Sequence, residues 1–276
     1  MKKSFERAQR RREEGHGYKH DLGQNFLYDD ALLEELVQST GVTKADSVLE
    51  IGPGSGMLTK HLCPHAGKVL AVEVDHDIIP FLKVNTAAFS NLEIVEGDIR
   101  KQNLRELCAP LGENFLVIAN IPYNITTPIF EALWESGLSI RQISVMIQKE
   151  VAEKLMAAPS TAAYGLMSVK CQYYCTPRLE CIVPAEKFTP PPKVDSAFVH
   201  LEMNRCRSAK VQNERRLFSL LRAGFNLRRK TLSNALRSVV EPDALRAAME
   251  QAEISPTARA EELSVDDWIR LSNACP

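Results

Sequence analysis

Four apolar runs in the first half of this chain finish at, or just before, a side chain that accepts hydrogen bonds. Residues 47–51 carry Glu50, residues 68–73 end at Glu73, residues 91–95 lead to Asp98, and residues 115–119 lead to Asn120. Their length and β-branched content mark them as buried strands rather than helices. Helical spacing fills the gaps, near 57–65 and 77–87, after a first helix near 30–40 that carries Leu32, Leu33 and Leu36. A helix near 127–137 and a fifth strand, 143–147, continue the alternation. This predicts an α/β fold, a parallel sheet with helices on both faces. Open sheets of this kind bind ligands beyond the carboxyl ends of their strands. A single acid there is ordinarily a surface residue or a helix cap. Polar ends on four successive strands point to a site.

The turn after the first strand is Glu50-Ile51-Gly52-Pro53-Gly54-Ser55-Gly56. Glycines let a ligand approach the backbone and permit a tight turn. The dinucleotide fingerprint spaces them Gly-x-Gly-x-x-Gly. Here the spacing is Gly-x-Gly-x-Gly with an acid in front. Glu50 disfavours a pyrophosphate and suits a cationic, methionine-derived ligand, so S-adenosylmethionine is expected rather than NAD. Glu73, about twenty residues beyond the glycines, stands where an acid can accept both ribose hydroxyls. Asp98 is placed to accept from an adenine amine.

Asn120-Ile121-Pro122-Tyr123 suits methyl transfer to an exocyclic amine of a base. That amine is a poor nucleophile because its lone pair is delocalised into the ring. A side-chain amide oxygen and a backbone carbonyl can accept its N–H groups, the first from Asn120 and the second from the Ile121 region. Pro122 fixes φ and removes a competing N–H, and Tyr123 offers a ring to a flipped base.

Residues 165–183 and 196–202 read as further strands at a sheet edge. From Glu214 onward only helical periodicity is present, with Leu217, Leu220, Leu221, Phe225, Leu232, Leu236, Leu245, Ala248 and Met249 in register. The expected organisation is a basic arm over 1–20, a sheet domain over 21–207 and a small all-α domain over 208–276.

Net charge is −1 but unevenly spread. Residues 1–20 hold seven Lys/Arg against three acids, and residues 204–237 ten against one. Residues 238–276 hold three Arg against eight acids. Charge runs are usually solvated faces, but a basic block interleaved with Leu, Phe and Gly is a good phosphate-binding candidate. Within it Arg222, Arg228, Arg229 and Lys230 are the candidate RNA contacts.

Seven cysteines without a Cys-x-x-Cys pair, and a lone His61-x-Cys63-x-His65 cluster, do not make a zinc pattern, so no metal is expected. No apolar stretch approaches a membrane span, and the first ten residues lack the apolar core of a signal peptide. The expectation is a cytoplasmic protein without a membrane partner, and a monomer.

Taken together, the motifs resemble the KsgA/RsmA family of ribosomal RNA adenine dimethyltransferases over nearly the whole length. The segments that carry the resemblance are Leu22-Gly23-Gln24-Asn25-Phe26-Leu27, the glycine turn, Val72-Glu73-Val74-Asp75, Glu96-Gly97-Asp98, and Asn120 to Ile125. Gln148-Lys149-Glu150-Val151-Ala152, Phe188 to Ser196 (Phe-Thr-Pro-Pro-Pro-Lys-Val-Asp-Ser) and Arg228-Arg229-Lys230-Thr231-Leu232 add to it. Ile121 stands where Leu is common in the family.

The resemblance implies a Rossmann-like class I S-adenosylmethionine-dependent sheet followed by an all-α domain. It implies dimethylation of N6 on two adjacent adenosines in the 3′-terminal hairpin of 16S rRNA in the small ribosomal subunit. By position it assigns Asn25, Leu27, Gly52, Glu73, Asp98 and Asn120 to the cofactor. Asn120, Pro122, Tyr123 and Phe188 go to the target base, with Phe188 as a second stacking ring, although Phe is most often core. Two alternatives share these features. One is an Erm-type enzyme acting on 23S rRNA, against which Lys193 to Ser196 and Arg228 to Thr231 weigh. The other is a non-catalytic rRNA-binding assembly factor, against which the intact Glu73, Asp98, Asn120, Pro122 and Tyr123 weigh.

Overall fold

A computed structural model describes residues 25–204 and 206–276. The expected basic arm over 1–20 and the Leu22-Gly23-Gln24 segment lie outside the described residues. Among the described residues there are nine strands: β1 (Phe26–Leu27), β2 (Ser47–Ile51), β3 (Lys68–Glu73), β4 (Leu92–Glu96), β5 (Phe115–Asn120), β6 (Ile140–Gln148), β7 (Cys175–Val183), β8 (Phe188–Thr189) and β9 (Ser196–Met203). Seven form one sheet in the order β4-β3-β2-β5-β6-β9-β7, and β1 pairs with β8 separately. The pairs β3–β4, β2–β3, β2–β5 and β5–β6 are parallel.

Each parallel pair needs a crossover. The helices Thr59–His65, Ile79–Asn85 and Thr126–Glu135 lie in the crossovers after β2, β3 and β5. Their bounds fall within a few residues of those read from the sequence. Residues 48–51, 69–73 and 115–119 are all buried, as central parallel strands require. The chain lays β2, β3 and β4 outward in one direction, then returns to place β5 on the other side of β2. The strand order therefore reverses between β2 and β5, and a crevice opens there.

The described residues fall into two compact units. One is residues 25–149 and 179–200, with a core in which Leu33, Leu36 and Val37 of the helix Asp30–Ser39 join Val48, Leu116, Ile118 and Met146. The other is Glu150–Arg178 with Leu201–Pro276. It contains the helices Leu166–Tyr174, Glu214–Asn226, Pro242–Gln251 and Val265–Ala274.

Two points differ from the sequence reading. Residues 166–174 form a helix, not the first part of a strand. Their β-branched and aromatic residues look strand-like, yet Val169 and Tyr173 bury at helical spacing among Leu217, Phe218 and Leu221. The helix start is held by Ser168, whose hydroxyl accepts from the Gly165 N–H at 3.0 Å. In addition, the helical unit takes in residues 150–178, which lie well before position 208. A unit assembled from two stretches of chain cannot be seen by a reading that looks only at local periodicity.

Trp268, fully buried, is the hub of the helical core. Gly224 makes room for it: a Cβ at 224 would lie 2.7 Å from the indole ring. Because the ring is enclosed on all sides, it cannot step aside cheaply. Gly224→Ala should therefore destabilise the protein by about 1–3 kcal/mol, read as a lower midpoint in denaturant unfolding; an unchanged midpoint would show that the core is loosely packed there.

Candidate active site

A cavity of about 860 Å3, its open mouth included, lies at the reversal point. Its walls include Asn25, Leu27, Glu50, Gly52, Gly54, Glu73, Asn120, Pro122 and Tyr123. Most of the side chains singled out from sequence thus meet in one place, delivered by the ends of β2, β3 and β5 and by the segment entering β1.

The glycine turn is tied to the neighbouring strand end. The Gly54 N–H donates to Glu73 Oε2 at 2.9 Å, and the Asp75 N–H to Glu73 Oε1 at 2.8 Å. Gly54 has a φ of 57°, and a Cβ there would sit 2.8 Å from the Phe26 ring. Phe26 and Leu27 are themselves fixed by pairing with Thr189 and Phe188. The β1–β8 pair thus holds Asn25, Phe26 and Leu27 against the turn.

Glu50 and Glu73 are the charged groups among the cavity walls. Glu50 is 1% exposed, and its Oε2 is buried with no hydrogen-bond partner. Burial pushes its carboxyl up to about 8; the Thr59 hydroxyl opposes this and the nearby Glu73 carboxylate adds to it. Burial also raises Glu73, while the backbone N–H groups of Asp75, Gly54 and Val74 pull the other way. An orphaned carboxylate oxygen and a second acid fit a ligand that brings positive charge. Both Glu73 oxygens keep lone pairs for ribose hydroxyls after accepting their backbone donors.

Asn120 ends β5 and is oriented by the chain that crosses in front of it. Its Nδ2 donates to the Asn25 carbonyl at 3.0 Å. A carbonyl can only accept, so this bond fixes which end of the amide faces Asn25 and leaves Oδ1 as an acceptor. Sequence reasoning had assigned the acceptor but not the bond that orients it. Tyr123 follows Pro122 in a single 3₁₀ turn. Its hydroxyl is hydrogen-bonded to Ser196 Oγ, and Ser196 is fully buried at the start of β9. Burial raises the Tyr123 hydroxyl, with the Ser196 bond opposing. Ser196 closes one of the segments that carry the family resemblance, but nothing local in the sequence links it to Tyr123.

Three candidates are placed otherwise. Phe188 is 2% exposed, opposite Leu27 in the β1–β8 pair, and packs with the sheet-side core. Strand pairing orders the proline-rich segment, as expected, and the ring lies in the core and is not a wall of the cavity. Asp98 is not a wall of the cavity; it caps the turn Ile99–Lys101, and Arg100 grips it at 2.9 and 2.7 Å, holding its carboxyl below the usual range. The Arg100 backbone N–H supplies the cap and its guanidinium the ion pair. Arg228 pairs with Glu261 at 2.9 Å and donates to the Tyr164 carbonyl at 2.8 Å, so it ties the helical unit together. Arg222, Arg229 and Lys230 are exposed.

The His61-x-Cys63-x-His65 cluster splits, with both imidazoles on the Glu34 carboxylate and the thiol in the core. His61 bonds Glu34 and Asp30, His65 bonds Glu34 at 2.7 Å, and Cys63 is buried in the core.

Comparison with known proteins gives a consistent result. The sequence pattern of the family described as "Ribosomal RNA adenine dimethylase" matches residues 15–275. A "Ribosomal RNA small subunit methyltransferase A" of Ligilactobacillus salivarius is 41% identical over 265 residues, 93% of this chain and 90% of the relative. One of the same name from Lachnoclostridium phytofermentans is 39% identical over 263 residues, 93% and 91% of the two chains. Among solved structures, a dimethyladenosine transferase from Plasmodium falciparum has a TM-score of 0.72 at 27% identity, covering 89% of this chain and 95% of that one. The 23S rRNA methyltransferase ErmE has a TM-score of 0.68 at 25% identity, covering 91% and 99%.

The Tyr123–Ser196 bond makes a testable unit. Ser196→Ala should lower kcat for methyl transfer on the order of 10- to 100-fold by loosening the ring. The same change in a Tyr123→Phe background should cost little more. Fully additive losses in the double variant would mean that Ser196 acts on something other than Tyr123.

Proposed function

The chain belongs to the ribosomal RNA adenine dimethylase family, and we propose that its substrate is the RNA of the small ribosomal subunit. It is an S-adenosylmethionine-dependent rRNA adenine dimethyltransferase. Within that activity, the proposed target is N6 of two adjacent adenosines in the 3′-terminal hairpin of 16S rRNA. The reading is supported by relatives at 37–41% identity over more than 90% of the chain, which are named for the small subunit. The observation that carries the catalytic assignment is the Asn25–Asn120 bond, which leaves an amide oxygen as an acceptor in a cavity whose other charged walls are acids.

The orphaned oxygen of Glu50 and the paired acceptors of Glu73 fit a cationic sulfonium nucleoside. S-adenosylmethionine supplies an electrophilic methyl group. Glu73 is proposed to accept its ribose hydroxyls, and the backbone at Gly52 and Gly54 to let it lie close. Asn25 and Leu27, held by the β1–β8 pair, wall the same space.

The amine must leave the RNA stack to reach the cavity, which costs a few kcal/mol. Stacking on Tyr123 returns about 1–3 kcal/mol, and the Ser196 bond keeps that ring in one orientation. Asn120 Oδ1 accepts one N6–H, so that the nitrogen lone pair is turned towards the incoming methyl. Pro122 offers no N–H to compete with the amine. No strong base is required, because the proton leaves after the nitrogen has become cationic. Walls of low polarity favour a reaction whose transition state spreads the sulfonium charge over sulfur, methyl and nitrogen.

In the helical unit, Arg222, Arg229 and Lys230 are the proposed phosphate contacts. Arg228 is a scaffold residue on this reading because Glu261 and the Tyr164 carbonyl hold its Nε and Nη2 donors. The protein is proposed to work as a cytoplasmic monomer.

The test uses labelled S-adenosylmethionine with separated ribosomal subunits that lack the dimethyl marks, and maps the products by mass spectrometry. Dimethyladenosine in the small-subunit 3′ hairpin is expected. Label in 23S rRNA would overturn the reading in favour of the activity named for ErmE, and binding without transfer would leave an assembly factor. Asn120→Ala should reduce single-turnover kcat about 100- to 1,000-fold, and full activity would remove Asn120 from the chemistry. Arg229→Glu should weaken RNA binding and lower the log–log salt slope by about one. An unchanged slope would exclude a phosphate contact there.

A further inference from the structure

Glu50 is a buried acid with an unpartnered oxygen. It lies in the middle of the sheet, 1% exposed, with Oε2 facing no donor. Every neighbour that bears on its charge is neutral or negative. Glu73, at the end of β3, is a carboxyl, with Asp75 two residues beyond it. On the helix Thr59–His65, Thr59 contributes a hydroxyl and Cys63 a buried thiol pushed up to about 12, which stays neutral. Lys44, the cation that acts on Cys63, spends its ammonium on the carbonyls of Cys63 and Ala66, each at 3.1 Å. Among the described residues no basic side chain is paired with Glu50.

We propose that Glu50 is the counter-charge for the positive centre of the methyl donor, and that it takes up this role by giving a proton to solvent when the donor binds. The proposal rests on the cavity being the cofactor site. In the free protein the carboxyl is protonated at neutral pH, because the charged form would be buried, unpaired and beside Glu73. A cation entering the cavity stabilises the carboxylate, the O–H bond breaks, and the proton passes to the buffer. The free carboxyl, raised to about 8, is neutral below that pH, and the bound one is ionised. Affinity for the donor therefore rises with pH up to about 8 and is level above it. With one proton released the dissociation constant changes by up to tenfold per pH unit in that window.

The linkage is read by isothermal titration calorimetry at pH 7 in phosphate and in Tris, whose ionisation enthalpies differ. The expected result for wild-type protein and S-adenosylmethionine is a binding heat that differs between the buffers by close to one proton's worth. In Glu50→Gln, which mimics the neutral carboxyl, the difference and the pH dependence of the dissociation constant should both vanish. S-adenosylhomocysteine keeps the α-ammonium but lacks the sulfonium. Proton release with both ligands assigns the ammonium as partner of Glu50, and release with S-adenosylmethionine alone assigns the sulfonium. Buffer-independent heats with both ligands would overturn the proposal even with binding intact. Gly54→Val, which drives a side chain into the Phe26 ring beside the cavity, tests the site separately from the proton linkage. Undiminished affinity in that variant would show that the ligand binds elsewhere, and both the site assignment and the proton linkage would fall.

Discussion

The reversal of strand order between β2 and β5 is the constraint on which the rest of the structure depends. A parallel sheet can be extended in one direction only until the chain must return, and the return leaves two neighbouring strand ends uncovered by a crossover. Here those ends carry Glu50 on β2 and Asn120 on β5, with Glu73 one strand away on β3. The rest of the site fixes Glu73, Asn120 and Tyr123. The Gly54 N–H reaches across to Glu73, the β1–β8 pair brings Asn25 over Asn120, and Ser196 on β9 holds Tyr123.

The cavity has been built at the expense of stability. Glu50 and Glu73 are both buried at the strand ends without a basic partner on the walls, and such groups lower the stability of a fold unless something pairs with them. The structural acids behave differently. Asp46 is met by Arg141 at 2.8 Å, Asp98 by Arg100 and Glu261 by Arg228. Acids that hold the fold together are neutralised by the chain itself, and acids in the cavity are left for a ligand to neutralise. That contrast, more than any single distance, separates the site from its scaffold.

Much of this was legible in the sequence because strands announce themselves locally. The runs at 47–51, 68–73, 91–95 and 115–119 needed only apolar length and flanking turns to be recognised, and the residues at their ends followed from the general behaviour of open α/β sheets. What depended on distant partners was not legible. The stretch 166–174 has the composition of a strand and becomes a helix because Leu217 and Phe218, far along the chain, offer it a core. Phe188 sits before three prolines like a presented ring, but Leu27 lies opposite it across two short strands. Arg228 looks like its neighbours Arg229 and Lys230 until Glu261 and the Tyr164 carbonyl are brought beside it. The orienting partners of Asn120 and Tyr123 are 95 and 73 residues away, beyond the reach of spacing rules.

The central claim is that one cavity at the carboxyl ends of β2, β3 and β5 holds the methyl donor with the Asn120 oxygen beside its reacting end. A crystal structure with S-adenosylhomocysteine and adenosine tests it most directly. The account predicts ribose hydroxyls on the Glu73 carboxylate, the Asn25–Asn120 bond intact, and the adenosine N6 within hydrogen-bond distance of Asn120 Oδ1. A ligand seated elsewhere, or an Asn120 amide turned so that its nitrogen faces the adenosine amine, would contradict it.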